Sequence, residues 1–144
     1  MHLLVLFILK ILPLAYMILI WFLSSNPSDA VVTFSVNAYY DAFIKESLHL
    51  VEFGILYVLW ALAFLSRGEL TRKQNLTAVA IAILYGLLDE YHQYFVPARS
   101  ATFIDLTKDW IGVGVAWLII NKTRILTSLM YIFARKKKQQ KERI

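Results

Sequence analysis

Residues 75–94 read NLTAVAIAILYGLLDEYHQY, an apolar run that ends in polar and charged side chains. The run is close in length to the ~20 residues that an α-helix needs to cross the hydrocarbon core of a membrane. Its last turns carry Asp89, Glu90 and Gln93, where a simple membrane anchor would have apolar side chains. The stretch therefore predicts a membrane helix with a polar site at one end.

Three other segments have the same apolar character and a similar length: Leu3–Leu23, Glu46–Leu65 and Phe103–Ile120. The whole chain is 59% hydrophobic and 17% charged, whereas soluble domains average roughly 45–50% apolar and 25% charged residues. The sequence contains no cysteine, which excludes disulfides, thiolate metal sites and a cysteine nucleophile. Together these features predict an all-α fold, a polytopic membrane bundle of four transmembrane helices.

The excess positive charge lies at the end of the chain. Residues 135–144 carry six basic side chains and one acidic side chain, which accounts for the whole net charge of +5. The connection 66–74 carries three more basic residues, whereas the other two connections each carry one. Because basic loops stay on the cytoplasmic side of a membrane, the predicted topology has both termini in the cytoplasm.

The chain after residue 121 is predicted to lie at the cytoplasmic membrane surface. Apolar side chains recur there at helical spacing, ahead of the basic run: Ile125, Leu126, Leu129, Met130 and Phe133. This pattern predicts an interfacial helix with a basic tail over residues 122–144, separate from a four-helix transmembrane domain over residues 1–121. Membrane attachment accounts for the basic tail, so no nucleic-acid partner is expected.

Ionisable side chains gather at the segment ends that this topology places outside. Lys45, His49 and Glu52 recur at i, i+4 and i+7 and so share one helix face. The predicted ligand-binding site has nine residues: Lys45, His49, Glu52, Asp89, Glu90, Gln93, Arg99, Asp105 and Asp109. Charged groups in a membrane are costly unless they pair, hydrate or face a cavity. We therefore expect an outward pocket, and the surplus of acids favours a cation or a polar ligand.

More than one chemistry is open for this pocket. A divalent cation is one candidate cofactor, with His49, Glu52, Asp89 and Glu90 as candidate ligands, although their spacing matches no dedicated metal motif. If the protein is an enzyme, the candidate catalytic residues are His49, Glu52 and Glu90, with His49 as acid or base.

A structural role is the alternative: the acids would only pair with nearby bases and hold the helices together. The pairs would be Glu52 with Lys45, Asp105 with Lys108, and Glu90 with Arg99. Gly112 and Ala116 form a small-xxx-small pair, which predicts close packing of the fourth helix against its neighbours.

Four motifs resemble those of the VanZ-like family of small bacterial membrane proteins, over roughly residues 20–118. In chain order they are FLSS at 22–25 with Pro27, K-x-x-x-H-x-x-E at 45–52, YGLLDEYHQYFVPARS at 85–100, and D-x-x-x-D-x-x-G at 105–112. The family usually has glycine where Ala98 stands and asparagine where Asp109 stands. The second departure adds a charge and puts in doubt whether the ligand preference is the same.

The resemblance implies a multi-pass protein of the bacterial cytoplasmic membrane that acts in the cell envelope, associated with resistance to the lipoglycopeptide teicoplanin. The expected partner is a membrane lipid, a lipid-linked envelope precursor or the glycopeptide antibiotic. Arg99 would meet a phosphate or carboxylate, while the carboxylates and Gln93 would bind sugar hydroxyls or a cation. Two alternatives are a membrane-embedded hydrolase or transferase acting on a lipid-linked phosphate or ester, and a small subunit of a membrane assembly.

Overall fold

Each of the four apolar segments folds as an α-helix: α1 is His2–Ser24, α2 is Ala38–Leu65, α3 is Arg72–Gln93 and α4 is Phe103–Lys122. The computed structural model describes residues 2–26, 38–66, 70–97, 99 and 101–123, and these ranges contain no strand. Within α1 and α2, the side chains of residues 2, 3, 38–46 and 49 lie outside the description. The all-α prediction is confirmed for the described part of the chain.

Local sequence signals set where α3 and α4 begin. Thr71 caps α3 in a capping box, in which its hydroxyl accepts from the backbone N–H of Gln74 and the Gln74 side chain accepts from the backbone of Thr71. Thr102 caps α4, and its hydroxyl accepts from the backbone N–H of Asp105 at 3.1 Å. These caps satisfy helix N–H groups that have no partner within the helix.

The start of α2 differs from the prediction. The sequence predicts the second helix from Glu46, whereas α2 begins eight residues earlier, at Ala38. Residues 38–45 contain neither glycine nor proline to end a helix, but Asp41 and Lys45 lower their hydropathy. A search for apolar runs therefore misses this part of the helix. The predicted interfacial helix and basic tail fall almost wholly outside the described residues.

The helices alternate in direction, so α1 and α3 end where α4 begins. The Glu90 carboxylate near the end of α3 accepts from the backbone N–H of Thr102, and His92 contacts Ser25 just after α1. We call this end of the bundle the acidic end, after Asp89 and Glu90, and the other end the opposite end. An apolar core lies between the two ends.

The core includes side chains from all four helices: Ile20, Phe53, Leu56, Tyr57, Ala61, Ala78, Ala82, Val113 and Ile120. The closest approach is between α2 and α4, where a Cβ added to Gly112 would overlap the carbonyl oxygen of Leu50. A Cβ added to Gly54 would lie 3.1 Å from the Gly112 carbonyl oxygen and 3.6 Å from the Ala116 Cβ. The predicted close packing at Gly112 and Ala116 is confirmed, and we call this contact the glycine seam.

Among the described residues, one helical segment is long and apolar enough to cross a membrane. It is Leu4–Ser24, 21 residues with a mean hydropathy of 2.4, while Leu50–Leu65 is a shorter apolar stretch. Charged side chains near the ends of α3 and α4 shorten their apolar runs. The four-span topology therefore stays a prediction.

Candidate functional site

Four of the predicted site residues are buried at the acidic end. The exposed fractions are 1% for Asp89, 7% for Glu90, 2% for Gln93 and 1% for Asp109. Carboxylates are seldom buried to this degree unless other groups stabilise their charge. The predicted gathering of α3 and α4 polar groups is therefore present in the structure.

Gln93 joins Asp89 to Arg99. Its amide Nε2 donates to Asp89 Oδ2 at 2.7 Å, one helical turn back, and its Oε1 accepts from Arg99 Nη1 at 3.4 Å. The amide can serve both neighbours because it carries a donor and an acceptor, whereas a carboxylate there would offer only acceptors. The three side chains form a polar chain, which we call the Asp–Gln–Arg chain.

The other edge of the Arg99 guanidinium bonds the end of α1. Nη2 donates to the carbonyl oxygen of Leu23 at 2.8 Å, and Nε donates to that of Asn26 at 3.0 Å. The last carbonyls of a helix lack intrahelical donors and carry partial negative charge, so a cation stabilises them. From the sequence, Arg99 was expected to bind a phosphate or carboxylate group of the ligand. In the structure, its guanidinium joins the end of α1 to the connection between α3 and α4.

Glu90 and Asp105 both act at the start of α4. Glu90 Oε2 accepts from the backbone N–H of Thr102 at 3.2 Å, which favours a negative charge beside the positive end of the helix dipole. Asp105 accepts from the Thr102 hydroxyl at 2.6 Å and pairs with Lys108 at 3.0 Å. The ion pair predicted from the Asp105–Lys108 spacing is present, and it is one-fifth exposed.

Asp109 lies one helical turn deeper than Asp105, against a glycine of α3. A Cβ added to Gly86 would stand 3.5 Å from Asp109 Oδ2 and 3.5 Å from Phe53. The Asp109 carboxylate therefore lies beside Gly86 in the interface between α3 and α4, where a methyl group on Gly86 would meet it at an ordinary van der Waals distance.

Glu52 of α2 is partly buried. Its carboxylate acts electrostatically on the hydroxyl groups of Tyr16 and Tyr85, and Asp89 also acts on Tyr85. Tyr85 donates to the carbonyl oxygen of Met17 at 2.6 Å, which joins α3 to α1.

His92 belongs to this region, although sequence reasoning did not select it for the site. Its ring stacks on Trp21, with centroids 3.9 Å apart, and its Nε2 lies 3.0 Å from the Ser25 hydroxyl. The single hydrogen of that hydroxyl is donated to the Trp21 carbonyl oxygen at 2.7 Å. His92 Nε2 is therefore the donor to Ser25. The feature of the sequence that could have indicated a role for His92 is its position between Asp89 and Gln93.

A second polar group, also not selected from the sequence, lies at the opposite end. Tyr57 donates to Asn75 at 2.7 Å, Asn75 donates to Asn121 at 2.9 Å, and Asn121 donates to the Trp117 carbonyl oxygen at 2.7 Å. The series joins α2, α3 and α4 and contains no ionisable acid or base apart from the tyrosine. Its neutral, mutually satisfied groups indicate a structural role.

Two predicted site residues cannot be placed, since the side chains of Lys45 and His49 lie outside the description. The acid or base role of His49 and the divalent cation therefore stay predictions. In the described ranges, no three histidine, aspartate or glutamate side chains are arranged to hold a metal ion.

The fold and the site define an all-α helix bundle with buried carboxylates and an arginine at one end. The chain matches VanZ/LLP1 over residues 2–127 and belongs to this family. The family and the apolar helix α1 indicate a membrane protein associated with resistance. No curated protein and no solved structure matches the chain.

Proposed function

We propose that the acidic end is an outward-facing site that binds the headgroup of a lipid-linked ligand, either an envelope precursor or a lipoglycopeptide antibiotic such as teicoplanin. Binding there would change how a lipid-anchored drug reaches its target, and so would protect the cell. The single observation that carries the proposal is the Asp–Gln–Arg chain, a buried polar series beside the end of a membrane-type helix.

The charge balance at the acidic end supports a ligand role. Four carboxylates lie there, from Asp89, Glu90, Asp105 and Asp109, with Arg99 and Lys108 as the described cations. Glu52 lies deeper, between Leu50 and Gly54 of the glycine seam, and the side chain of Lys45 is outside the description. Burying several carboxylates costs free energy that a purely structural core would avoid with apolar side chains. Such an arrangement is typical of a site with polar chemistry to perform.

The donors and acceptors suit a polar headgroup. A guanidinium binds phosphate or carboxylate through charge-assisted hydrogen bonds, and Arg99 uses three of its five N–H groups for the contacts described above. Carboxylate oxygens accept from sugar hydroxyls or from an ammonium group. The ligand therefore combines an anionic group with hydroxyl or amine donors.

The orientation follows from the basic connections. Arg72 and Lys73 start α3 at the opposite end, and Lys122 ends α4 there. Basic segments stay cytoplasmic in membrane proteins, so the acidic end faces outward. A site on that side meets the outer leaflet, where lipid-linked precursors and lipoglycopeptides are found.

Teicoplanin susceptibility tests the proposal directly. Cells would express Glu90→Gln, Arg99→Ala or Asp105→Asn at equal protein levels, with Lys122→Gln at the opposite end as the matched control. We expect protection to fall in the three acidic-end variants and to persist in the control. Unchanged protection in all three variants would rule out the site.

A further inference from the structure

Helix α1 has a largely exposed surface. In its half at the acidic end, the buried residues are Ile20 and Ser24. Ile20 belongs to the apolar core, with Tyr16 and Met17 packed against it, whereas Ile18 is 71% exposed and Phe22 65% exposed. The contacts of α1 are made mainly with α2, and far fewer join it to α3.

Polar and aromatic contacts join this half of α1 to α3 and to the connection that follows α3. They come from Tyr85 and His92 on α3 and from Arg99 in the following connection, and each reaches α1 or the two residues after it. Such contacts break and re-form without the cavity that separating packed apolar side chains would leave. The outer half of α1 can thus separate from α3 at lower cost than the packed helices α2, α3 and α4 can separate from one another.

The same half of α1 covers one side of the acidic end. Tyr85 of α3 bonds the Met17 carbonyl of α1 across the line along which the two helices meet. Arg99 bonds both Leu23 and Gln93 at the outer end of that line. A ligand whose acyl chain stays in the membrane reaches the acidic end sideways, between two helices. The α1–α3 line is the route with the weakest apolar packing.

Arg99 connects this route to the site. One edge of its guanidinium bonds the carbonyls of Leu23 and Asn26, and the other reaches Gln93 of the Asp–Gln–Arg chain. A phosphate or carboxylate forms stronger hydrogen bonds with a guanidinium than a neutral carbonyl does. An anionic headgroup therefore competes with the end of α1 for the same donors.

We propose that the outer half of α1 is a lateral gate to the acidic end, held closed by Arg99 and His92 and opened when an anionic, membrane-anchored ligand takes over Arg99. The proposal rests on the proposed function for the identity of the ligand. The closed state is the one described above, in which Arg99 bonds α1.

The absence of cysteine allows the gate to be tested with a single thiol. Ser24→Cys is a near-isosteric change at a side chain that is 5% exposed, and the full chain would be studied in lipid nanodiscs. We expect maleimide labelling of this thiol to be about tenfold faster with Arg99→Gln or His92→Ala, because two hydrogen bonds or a ring stack are lost. Lys108→Gln, which removes a cation from the same end, is the matched control. Equal labelling rates in all four proteins would overturn the gate.

Crosslinking tests the link between the gate and binding. The pair Ser25→Cys/His92→Cys would be joined by a reversible bifunctional thiol reagent, and Asn75→Cys/Asn121→Cys, an exposed interhelical pair at the opposite end, would be the control. We expect the first crosslink to abolish teicoplanin binding and reduction to restore it, while the control crosslink leaves binding unchanged. Undiminished binding after the first crosslink would overturn the gate.

The two proposals fail in different ways. If the uncrosslinked protein binds no teicoplanin, the proposed function fails for this ligand, and the labelling rates of the Arg99→Gln and His92→Ala proteins alone decide the gate. If teicoplanin binds, but crosslinking leaves its binding unchanged and neither Arg99→Gln nor His92→Ala changes the labelling rate, the gate fails and the binding site stands.

Discussion

Gly112 of α4 lies directly against the backbone carbonyl of Leu50 of α2, with no space for even one methyl group between them. Such close approach of two helix backbones gives van der Waals contact along the glycine seam and is a common way for membrane helices to associate. The seam also sets the depth at which Asp109 faces α3, since Asp109 lies one turn before Gly112.

Gly112→Ala is expected to destabilise the protein by at least about 1–3 kcal/mol, since the new methyl group forces the two backbones apart. Gly114→Ala is the matched control on the same helix, because a Cβ there meets nothing within 4 Å. Alanine at that position should leave stability unchanged or raise it by up to ~1 kcal/mol. Thermal unfolding of both proteins in the same detergent measures the difference in stability. Equal losses of stability in the two proteins would contradict the close contact at the glycine seam.

Gln93→Glu is expected to destabilise the acidic end, because it replaces the amide 2.7 Å from Asp89 with a second carboxylate. The double substitution Asp89→Asn/Gln93→Glu exchanges the amide and the carboxylate, and keeps an acceptor near Arg99. Thermal unfolding should show recovery of most of the loss in the double variant. A double variant as unstable as the sum of its single changes would contradict a direct contact.

Substitutions of Glu90 distinguish the effect of its hydrogen bond on stability from the effect of its negative charge on resistance. Glu90→Gln keeps an oxygen acceptor for the Thr102 N–H, so stability should change by less than about 1 kcal/mol, whereas Glu90→Leu should cost ~1–3 kcal/mol by leaving that N–H without its acceptor. Thermal unfolding distinguishes the two. Loss of resistance in Glu90→Gln with unchanged stability would assign the effect to charge at the site.

At the opposite end, Tyr57→Phe removes the hydroxyl group that donates to Asn75. The Tyr57 side chain is fully buried. We expect a loss of roughly 1–2 kcal/mol in the free energy of unfolding, with resistance retained wherever the protein is present at its normal level. Tyr91→Phe is the control, because that side chain is 66% exposed. A specific loss of resistance in Tyr57→Phe at normal protein levels would show that the opposite end has a functional role.

The predicted membrane topology can be checked with single cysteines in the naturally cysteine-free chain. Tyr94→Cys at the acidic end, where the side chain is 74% exposed, should react with a membrane-impermeant maleimide in intact cells. Lys73→Cys at the opposite end should react only after the membrane is permeabilised. The reverse pattern would place the acidic end in the cytoplasm and contradict the proposed outward site.

Hydropathy and residue spacing were sufficient to predict four helices and the end at which the carboxylates gather. The close packing at Gly112 was predictable from its small-xxx-small spacing with Ala116, and the Asp105–Lys108 pair from its i, i+3 spacing. The start of α2 at Ala38 was missed, since polar side chains interrupt the apolar signal there.

The particular partners that a side chain meets on another helix were not predictable. Arg99 was expected to face a ligand, and nothing in its neighbourhood along the chain indicates that the carbonyls of Leu23 and Asn26 lie beside it. The stack of His92 on Trp21 likewise joins residues that are far apart in sequence. A single chain specifies such pairs through the packing of whole helices, which residue patterns alone do not reveal.

The glycine seam has a consequence for the order in which the protein is made. Its two sides, Gly54 and Gly112, stand on the second and the last of the four helices, so ribosomes must complete nearly the whole bundle before the seam can close. Arg99 is translated after α3, so α1 is made before the guanidinium that bonds its end. Helix α1 therefore gains these contacts only after two further helices have been translated.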